Sequence, residues 1–447
     1  MFGLDNNQRE AIGLNFVLGQ LAPASPYGIE KLREIAPFTC EAALNRCFDN
    51  IKRLMCADLE DLRDILAHFK NIRGILVKLS DGVLNEVELF EIKGFLLTLE
   101  RFLPIWDKIN TDAQLWDISF KPMAAALDVL DPQKSRVAPF SLDDGFSEDL
   151  AAARHSKSWE EQAAEELRVM TELAAKLRPF SAAFYSNIDN LGHLDLTMAK
   201  ATLAASYGCA RPKISKANVV LKDITNPMVA AALAESGRAM TPVSPELNAG
   251  VTIITGANMG GKSVAIKTAA LNVALCALGL YVFASKAEIP LFDGIFMISQ
   301  DLQNTAAGLS SFGGEVARLN ALAPRLGNDF LFIALDEPAR ATNPAEGAAI
   351  VRAVAAWLAA SRCVCLMSTH YDGITAPNAG YYRVAGLTNL PQSAGPANIA
   401  DYMDYNLVVA KANDPIPKDA LKICGLLGLD GGLMAKIEGE YTASAMR

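Results

Sequence analysis

Residues 251–275 read VTIITGANMGGKSVAIKTAALNVAL, which is a β-rich apolar run followed by a glycine-containing loop and a helical stretch. Four positions, Gly256, Gly261, Lys262 and Ser263, fit the pattern G-x-x-x-x-G-K-[ST]. Glycines are needed in such a loop because the backbone curls its N–H groups around phosphates, where side chains would block the approach. The stretch therefore predicts a phosphate loop, in which the lysine reaches the β- and γ-phosphates and the serine hydroxyl binds Mg²⁺.

Two later apolar runs end in polar side chains that suit the same chemistry. FLFIAL at 330–335 is followed by Asp336 and Glu337, and CVCLMST at 363–369 is followed by His370. Ligands bind at the carboxyl ends of buried parallel strands, so we expect Asp336 to hold Mg²⁺ and Glu337 to orient or deprotonate water. The histidine is expected to contact the γ-phosphate or its water. Taken singly, the acidic pair also fits a solvated loop, and the histidine also fits a structural role.

The composition is that of a globular protein, since 51% of the 447 residues are hydrophobic and 20% are charged. The net charge is −9, so the composition does not indicate a basic surface for binding nucleic acid, although folding can bring basic residues together in a local stripe. The eight cysteines form no C-x-x-C pair, which predicts free buried thiols and neither a zinc site nor disulfides. With no signal-peptide pattern and no membrane-length apolar segment, the expected location is cytoplasmic.

The spacing of apolar residues changes from a helical pattern to an α/β pattern near residue 249. Apolar residues recur at helical spacing before that point, interrupted by the Pro/Asp/Ser-rich loop DPQKSRVAPFSLDDGFS. Short strand-like runs then alternate with helical stretches, which is typical of a parallel sheet with crossover helices. The predicted divisions are a helical domain at 1–130, a linker at 131–147, a helical arm at 148–218, an α/β domain that carries the phosphate loop at 219–390, and a C-terminal segment at 391–447.

Four segments, GANMGGKS, SSFGGEV, LDEPARATN and STHY, resemble the ATPase domain of MutS proteins in their order and spacing. The resemblance implies an α/β ABC-type P-loop NTPase domain, with a mostly parallel sheet and crossover helices, preceded by an all-helical MutS core/lever-like domain. Residues 28–39 and 191–214 are similar to the beginning and the end of that helical core. The tail is similar to the family's closing strand and helix pair, which is used in dimerisation.

The resemblance also implies ATP and Mg²⁺ as cofactors and assigns roles to individual positions. The implied nucleotide-binding residues are Gly256, Asn258, Gly260, Gly261, Lys262, Ser263, Ser310 and Ser311. The implied metal ligands are Ser263 and Asp336, and the implied catalytic residues are Asp336, Glu337 and His370.

A dimer follows from the same resemblance, as a homodimer or a heterodimer with a related chain. Ser310 and Ser311, with Phe312 and Glu315, fall on the family's signature segment, which reaches the ATP of the partner. Arg340 and Thr342 would help to form that contact. Each site would then be completed in trans, so that the nucleotide state sets the dimer geometry.

The sequence departs from mismatch-repair members of the family in several respects. From the resemblance we expect a chain that opens on the helical core without a mismatch-reading domain, offers no basic stripe for a DNA clamp within 147–185, and lacks the nuclease extension. No aromatic residue for stacking on adenine is found in 239–248. Within the segments that resemble the ATPase domain, five residues differ from those usual in the family: Val264, Gly313, Gly314, Pro338 and Ala341.

Three functions remain open at this point. The first is a MutS-like ATPase whose arms act on a protein client, such as a cobalamin-dependent aminomutase that needs reactivation, and it is preferred because of the acidic balance and the missing reader. The second is a DNA-binding relative in repair or recombination. The third is an ATP-binding regulatory subunit of a heterodimer, which the complete set of catalytic residues disfavours.

Overall fold

The computed structural model describes residues 3–137, 142, 146–155, 158–256, 261–299, 311–387, 402–412, 414 and 420–445. The chain divides into two compact units. One comprises Met1–Gly19, Ala36–Leu44 and Ser206–Arg447, and the other comprises Gln20–Ile35 and Asn45–Ala205. In the described part of the chain, no helix is long and apolar enough to cross a membrane.

This division differs from the predicted one, because the first residues belong with the C-terminal unit. The side chain of Gln8 donates a hydrogen bond to the carbonyl of Met297, and that of Asn226 donates to the carbonyl of Ile12. These tertiary contacts cannot be read from helical periodicity. The other predicted boundaries stay predictions.

The chain up to residue 207 is helical. Its helices are α1 (Asn6–Ala11), α2 (Leu14–Gly19), α3 (Pro26–Arg33), α4 (Glu41–Leu54), α5 (Glu60–Ala67), α6 (Arg73–Asp81), α7 (Glu86–Ala113), α8 (Ala124–Leu130), α9 (Glu148–His155), α10 (Trp159–Leu177) and α11 (Ser181–Tyr207). Helix α7 begins at a capping box formed by Asn85 and Glu88, and it continues through Pro104. Helix α7 is thus 28 residues long, in keeping with the helical spacing expected before residue 249.

An aromatic cluster fills the core of the helical unit. Phe69 lies between Phe95 and Phe102, with ring centroids 5.3 and 5.8 Å away, and Phe102 meets Phe120 edge-on at 4.7 Å. Such pairs add about 0.5–1.5 kcal/mol each beyond the burial of their apolar area. Packing of this kind, more than helix propensity, holds short helices such as α5 and α6 in place.

A buried carboxylate joins α11 to the start of α3 within this unit. Asp195, which is 2% exposed, accepts hydrogen bonds from the backbone N–H groups of Ala24 and Ser25 and from the Ser25 hydroxyl, at 2.9, 2.7 and 2.6 Å. Ser25 in turn caps α3 by accepting a hydrogen bond from Gly28. The burial of a charged group is thus balanced by three donors.

The other unit contains a small sheet and a large sheet. The small sheet has the order β1-β5-β2-β3, and the large one has the order β10-β9-β4-β8-β7-β6. The strands are β1 (Lys213–Ser215), β2 (Val219–Lys222), β3 (Glu246–Leu247), β4 (Gly250–Thr255), β5 (Lys286–Pro290), β6 (Gly294–Ser299), β7 (Leu331–Asp336), β8 (Cys363–Ser368), β9 (Gly380–Leu387) and β10 (Met403–Val409). All neighbouring strands of the large sheet pair in parallel except the antiparallel pair β9–β10.

Helices α12 (Pro227–Ala234), α13 (Lys262–Ala277), α14 (Ser311–Leu322) and α15 (Pro344–Ala359) belong to the same unit. Odd-numbered side chains of the central strands, such as Ile253, Ile333 and Cys365, form one core with apolar residues of α14 and α15. Helix α13 packs against β7 and β8. The predicted runs at 251–255, 330–335 and 363–369 are therefore β4, β7 and β8, each buried on both faces as parallel strands require.

The tail forms β10, α16 (Ala420–Leu426) and α17 (Gly431–Ala445), which is the strand and helix pair that the resemblance implied. The cysteine expectation needs a correction. Cys40 and Cys56 are exposed, and Cys47 and Cys424 are half-buried, so the thiols are not uniformly buried. Cys40 directly precedes α4 and Cys56 lies just after its end, so both stand at the ends of this helix.

Candidate functional site

The phosphate loop begins where β4 ends. Gly256 has φ +143° and Gly261 has φ +84°, which are backbone conformations that L side chains rarely adopt. A Cβ at Gly256 would also come within 3.2 Å of Val384 on β9. Glycine is therefore needed at both ends of the loop. Asn258 and Gly260 lie outside the described residues.

Lys262 is the first residue of α13, and its ammonium group is buried. The side chain is 4% exposed, and Nζ donates to the carbonyl oxygen of Gly256 at 2.8 Å and forms an ion pair with Glu337 Oε1 at 3.3 Å. The lysine thus lies at the N-terminus of a 16-residue helix, where backbone N–H groups favour anions.

Asp336, the last residue of β7, lies beside the serine of the phosphate loop. The Ser263 hydroxyl donates to Asp336 Oδ1 at 2.9 Å, and the Ser368 hydroxyl donates to the same oxygen at 2.8 Å. Burial raises the pKa of Asp336, while these two hydrogen bonds and the positive charge of Lys267 act in the opposite direction. The structure therefore brings together the two predicted metal ligands, Ser263 and Asp336.

Glu337 follows in a tight turn and faces two cations. Its carboxylate accepts a hydrogen bond from Arg340 Nη1 at 2.8 Å in addition to the ion pair with Lys262. The backbone at Glu337 has φ +50° and that at Ala339 has φ +58°, which is uncommon for residues with a Cβ. The Ala339 N–H donates to Glu315 Oε2 at 2.9 Å, so the signature-segment glutamate helps to hold this turn.

His370 follows β8 and lies near the same charges. Its Nδ1 is buried and has no hydrogen-bond partner among the residues that the structure describes. Burial lowers the pKa of His370, the negative charge of Glu337 opposes the shift, and the positive charges of Arg340 and Lys262 add to it. At neutral pH the ring is therefore predominantly uncharged, and it can either donate or accept a hydrogen bond.

Sequence reasoning missed Ser368. Its hydroxyl is fully buried, donates to Asp336 and accepts a hydrogen bond from the Glu337 N–H at 2.9 Å. The available signal was a polar residue at the end of an otherwise apolar run, directly before Thr369 and His370. Of the signature serines, Ser310 lies outside the described residues, and Ser311 begins α14 without a described side chain.

These residues fit a nucleoside triphosphate with Mg²⁺. Lys262 and the start of α13 provide positive charge for phosphates, and the paired Ser263 and Asp336 oxygens are the hard ligands that Mg²⁺ prefers. In the described part of the chain, no three His, Cys, Asp or Glu side chains gather as a metal site. Mg²⁺ at this position would therefore need phosphate oxygens and water to complete its coordination.

The comparisons with known proteins point to the same region. Residues 252–403 match the family model "MutS domain V", which is an ATPase family. The match begins within β4 and ends at the start of β10, so it contains every described site residue.

Several curated proteins are similar to this chain. They include the endonuclease MutS2 of Leuconostoc mesenteroides, with 32% identity over 216 residues (47% of this chain and 26% of the relative). The endonuclease MutS2 of Levilactobacillus brevis is 31% identical over 281 residues (62% and 34%). The DNA mismatch repair protein MutS of Thermus thermophilus is 32% identical over 211 residues (47% and 25%). The chain thus spans between a quarter and about a third of the length of these relatives.

Proposed function

Because this chain is a member of the MutS-like ATPase family, we propose that it binds ATP with Mg²⁺ and hydrolyses it. The observation that carries the proposal is the convergence of Lys262, Ser263, Asp336 and Glu337, joined by contacts of 2.9–3.3 Å, at the end of the large sheet. Each of these side chains has a role in phosphoryl transfer to water.

Lys262 would leave Glu337 to contact the β- and γ-phosphates, since phosphate oxygens supply the negative charge that the carboxylate supplies without nucleotide. Ser263 and Asp336 would hold Mg²⁺, which neutralises phosphate charge when bound. Glu337, released from the lysine, would orient the attacking water and accept its proton. The neutral His370 ring would contact the γ-phosphate or that water.

We extend the proposal to a dimer, with an ABC-type arrangement in which Ser310 and Ser311 reach the nucleotide of the partner. The Arg340 side chain is half exposed and lies beside Glu337, so it is placed to be shared between the site and an approaching chain. Closure around the γ-phosphate would then move the lever-like helical part on a client.

The choice of client changes with the comparisons. The relatives are named for DNA mismatch repair and as endonucleases, which favours DNA, and none is named for a protein client. The preference for an aminomutase-like client, drawn from the acidic balance, therefore has no support here. We propose DNA as the first client to test.

Hydrolysis by the unsubstituted protein and by Lys262→Ala tests the core of the proposal. We expect Mg²⁺-dependent phosphate release that the substitution abolishes together with ATP binding, because the contact between the ammonium and the phosphates is lost. Glu235→Gln, at an exposed position in the same unit, is the control. Equal ATP affinity of Lys262→Ala and the parent would contradict the assignment of the phosphate loop.

Binding of duplex and branched DNA, titrated with salt in the presence of ATP, tests the client. If the protein binds DNA through phosphate contacts, the logarithm of its binding constant should fall linearly with the logarithm of the salt concentration. Weak binding at low salt with no slope would instead return the protein-client hypothesis to first place.

A further inference from the structure

Ser368 occupies a fixed position between the phosphate-loop strand and the acidic strand. In the large sheet β8 lies between β4 and β7, and Ser368 is in register with Ile254, the second-last residue of β4. Its neighbour Met367 pairs with Leu335, so Ser368 stands directly beside Asp336. The sheet itself therefore places this side chain at the centre of the site.

The hydroxyl serves two groups with different roles. A serine hydroxyl has one proton to donate and lone pairs to accept. Here the proton goes to Asp336 Oδ1 at 2.8 Å, and a lone pair accepts the Glu337 N–H at 2.9 Å. The fully buried Ser368 hydroxyl thus links the carboxylate of Asp336, the proposed metal ligand, to the backbone of Glu337, the proposed base.

A second hydrogen bond from the same segment holds the far end of the acidic turn. The Tyr371 hydroxyl donates to the carbonyl of Ala339 at 2.9 Å. Both Glu337 and Ala339 have left-handed backbones, a conformation that costs about 1–3 kcal/mol and persists only when neighbours enforce it. Residues 368–371 therefore hold the turn at two points, and only the Ser368 contact also reaches Asp336.

We propose that Ser368 is a positioning residue that fixes the metal-holding carboxylate of Asp336 and the water-activating Glu337 relative to each other, with Tyr371 fixing only the far end of the acidic turn at Ala339. The inference rests on the proposed ATP hydrolysis. It predicts different effects for the two hydrogen bonds. Loss of the Ser368 hydroxyl should change both the Mg²⁺ requirement and the turnover rate, whereas loss of the Tyr371 hydroxyl should change the turnover rate only.

The experiment measures kcat and the Mg²⁺ concentration for half-maximal ATP hydrolysis in five proteins: the parent, Ser368→Ala, Ser368→Thr, Tyr371→Phe and the control Thr252→Val. Ser368→Ala should lower kcat about 10- to 100-fold and raise the half-saturating Mg²⁺ several-fold, because a hydrogen bond to a charged group is lost. Tyr371→Phe should lower kcat only about 3- to 10-fold with unchanged Mg²⁺ dependence, because a neutral hydrogen bond is lost.

Thr252→Val is the matched control because Thr252 is equally buried in the same sheet, while its hydroxyl has no hydrogen-bond partner among the described residues. It should leave both quantities within about twofold. Ser368→Thr, which keeps the hydroxyl, should recover more activity than Ser368→Ala. If Ser368→Ala does not fold, Ser368→Cys replaces it, and its weak S–H donor should change both quantities in the same direction.

Unchanged Mg²⁺ dependence in folded Ser368→Ala would overturn the inference, and so would equal effects of Ser368→Ala and Tyr371→Phe on Mg²⁺. Absence of Mg²⁺-dependent turnover in the parent would instead overturn the proposed function, and the inference with it. Thermal unfolding of every variant separates both outcomes from a loss of folded protein.

Discussion

Replacement of Glu337 by glutamine tests the charge arrangement that precedes nucleotide binding. Glu337 is 8% exposed and pairs with the buried Lys262 ammonium at 3.3 Å. At an effective dielectric constant of about 20, two unit charges at that distance attract by about 5 kcal/mol. The glutamine keeps a hydrogen-bond acceptor, and Arg340 is half exposed, so we expect a net loss of about 2–3 kcal/mol of folding stability.

The loss should appear as a melting temperature about 5–10 °C lower in the absence of nucleotide. MgATP should restore the melting temperature of Glu337→Gln, because phosphate oxygens then surround the lysine. In this variant no carboxylate competes with the phosphates for Lys262 or repels them. ATP should therefore bind about tenfold more tightly to Glu337→Gln than to the parent. Hydrolysis should be strongly reduced, since an amide cannot accept the proton of water.

The assay is thermal unfolding with and without MgATP, combined with an ATP-binding titration and phosphate release. Glu235→Gln, which removes an exposed carboxylate from the same unit, is the control and should match the parent in all three. The reasoning is refuted if Glu337→Gln melts with the control in the absence of nucleotide and binds ATP with parental affinity.

Two further predictions concern the helical unit. Burial raises the pKa of Asp131, but hydrogen bonds from Arg136 and Ser135 and the charge of Lys93 at 3.5 Å outweigh it and hold the pKa at about 2. The pKa of Asp131 is lower in the folded state than in the unfolded state, so its contribution to stability is present above about pH 4 and is lost towards pH 2. Asp131→Asn should therefore lower the free energy of unfolding, measured with denaturant, by roughly 2–3 kcal/mol at pH 7 and by little at pH 2. Asp195→Ala should cost about 2–4 kcal/mol because it leaves buried donors without an acceptor, and a midpoint equal to that of Asp195→Asn would contradict this.

Much of the site follows from the sequence because its chemistry depends on residues at strand ends. The strand runs that precede Gly256, Asp336 and His370 are apolar on both faces, and parallel strands bring their carboxyl ends to one edge. The mutual proximity of Lys262 and Glu337 is a consequence of that topology. The phosphate-loop pattern and the acidic pair were therefore sufficient to predict that these side chains lie close together.

What the sequence did not provide was the strand order and the chain-distant contacts. The placement of β8 between β4 and β7 turns Ser368 from an inconspicuous polar residue into a partner of both acidic residues. The small sheet was missed because its strands are only two to five residues long, too short for a period to be recognised. The contact of Gln8 with β6 was missed because it joins residues 289 positions apart in the chain, which no local pattern records.

In the proposed reaction, the same charges would let one site report its nucleotide state. Glu337 pairs with the buried Lys262, and the acidic turn is held in its left-handed conformation by contacts from Ser368 and Tyr371. A bound triphosphate would replace the carboxylate at the lysine, which would free that carboxylate oxygen for water while the turn stays fixed. Arg340 pairs with the other oxygen of Glu337 at the edge of the site. The exchange of one anion for another at Lys262 would therefore link chemistry inside the pocket to a charge that a second chain can meet.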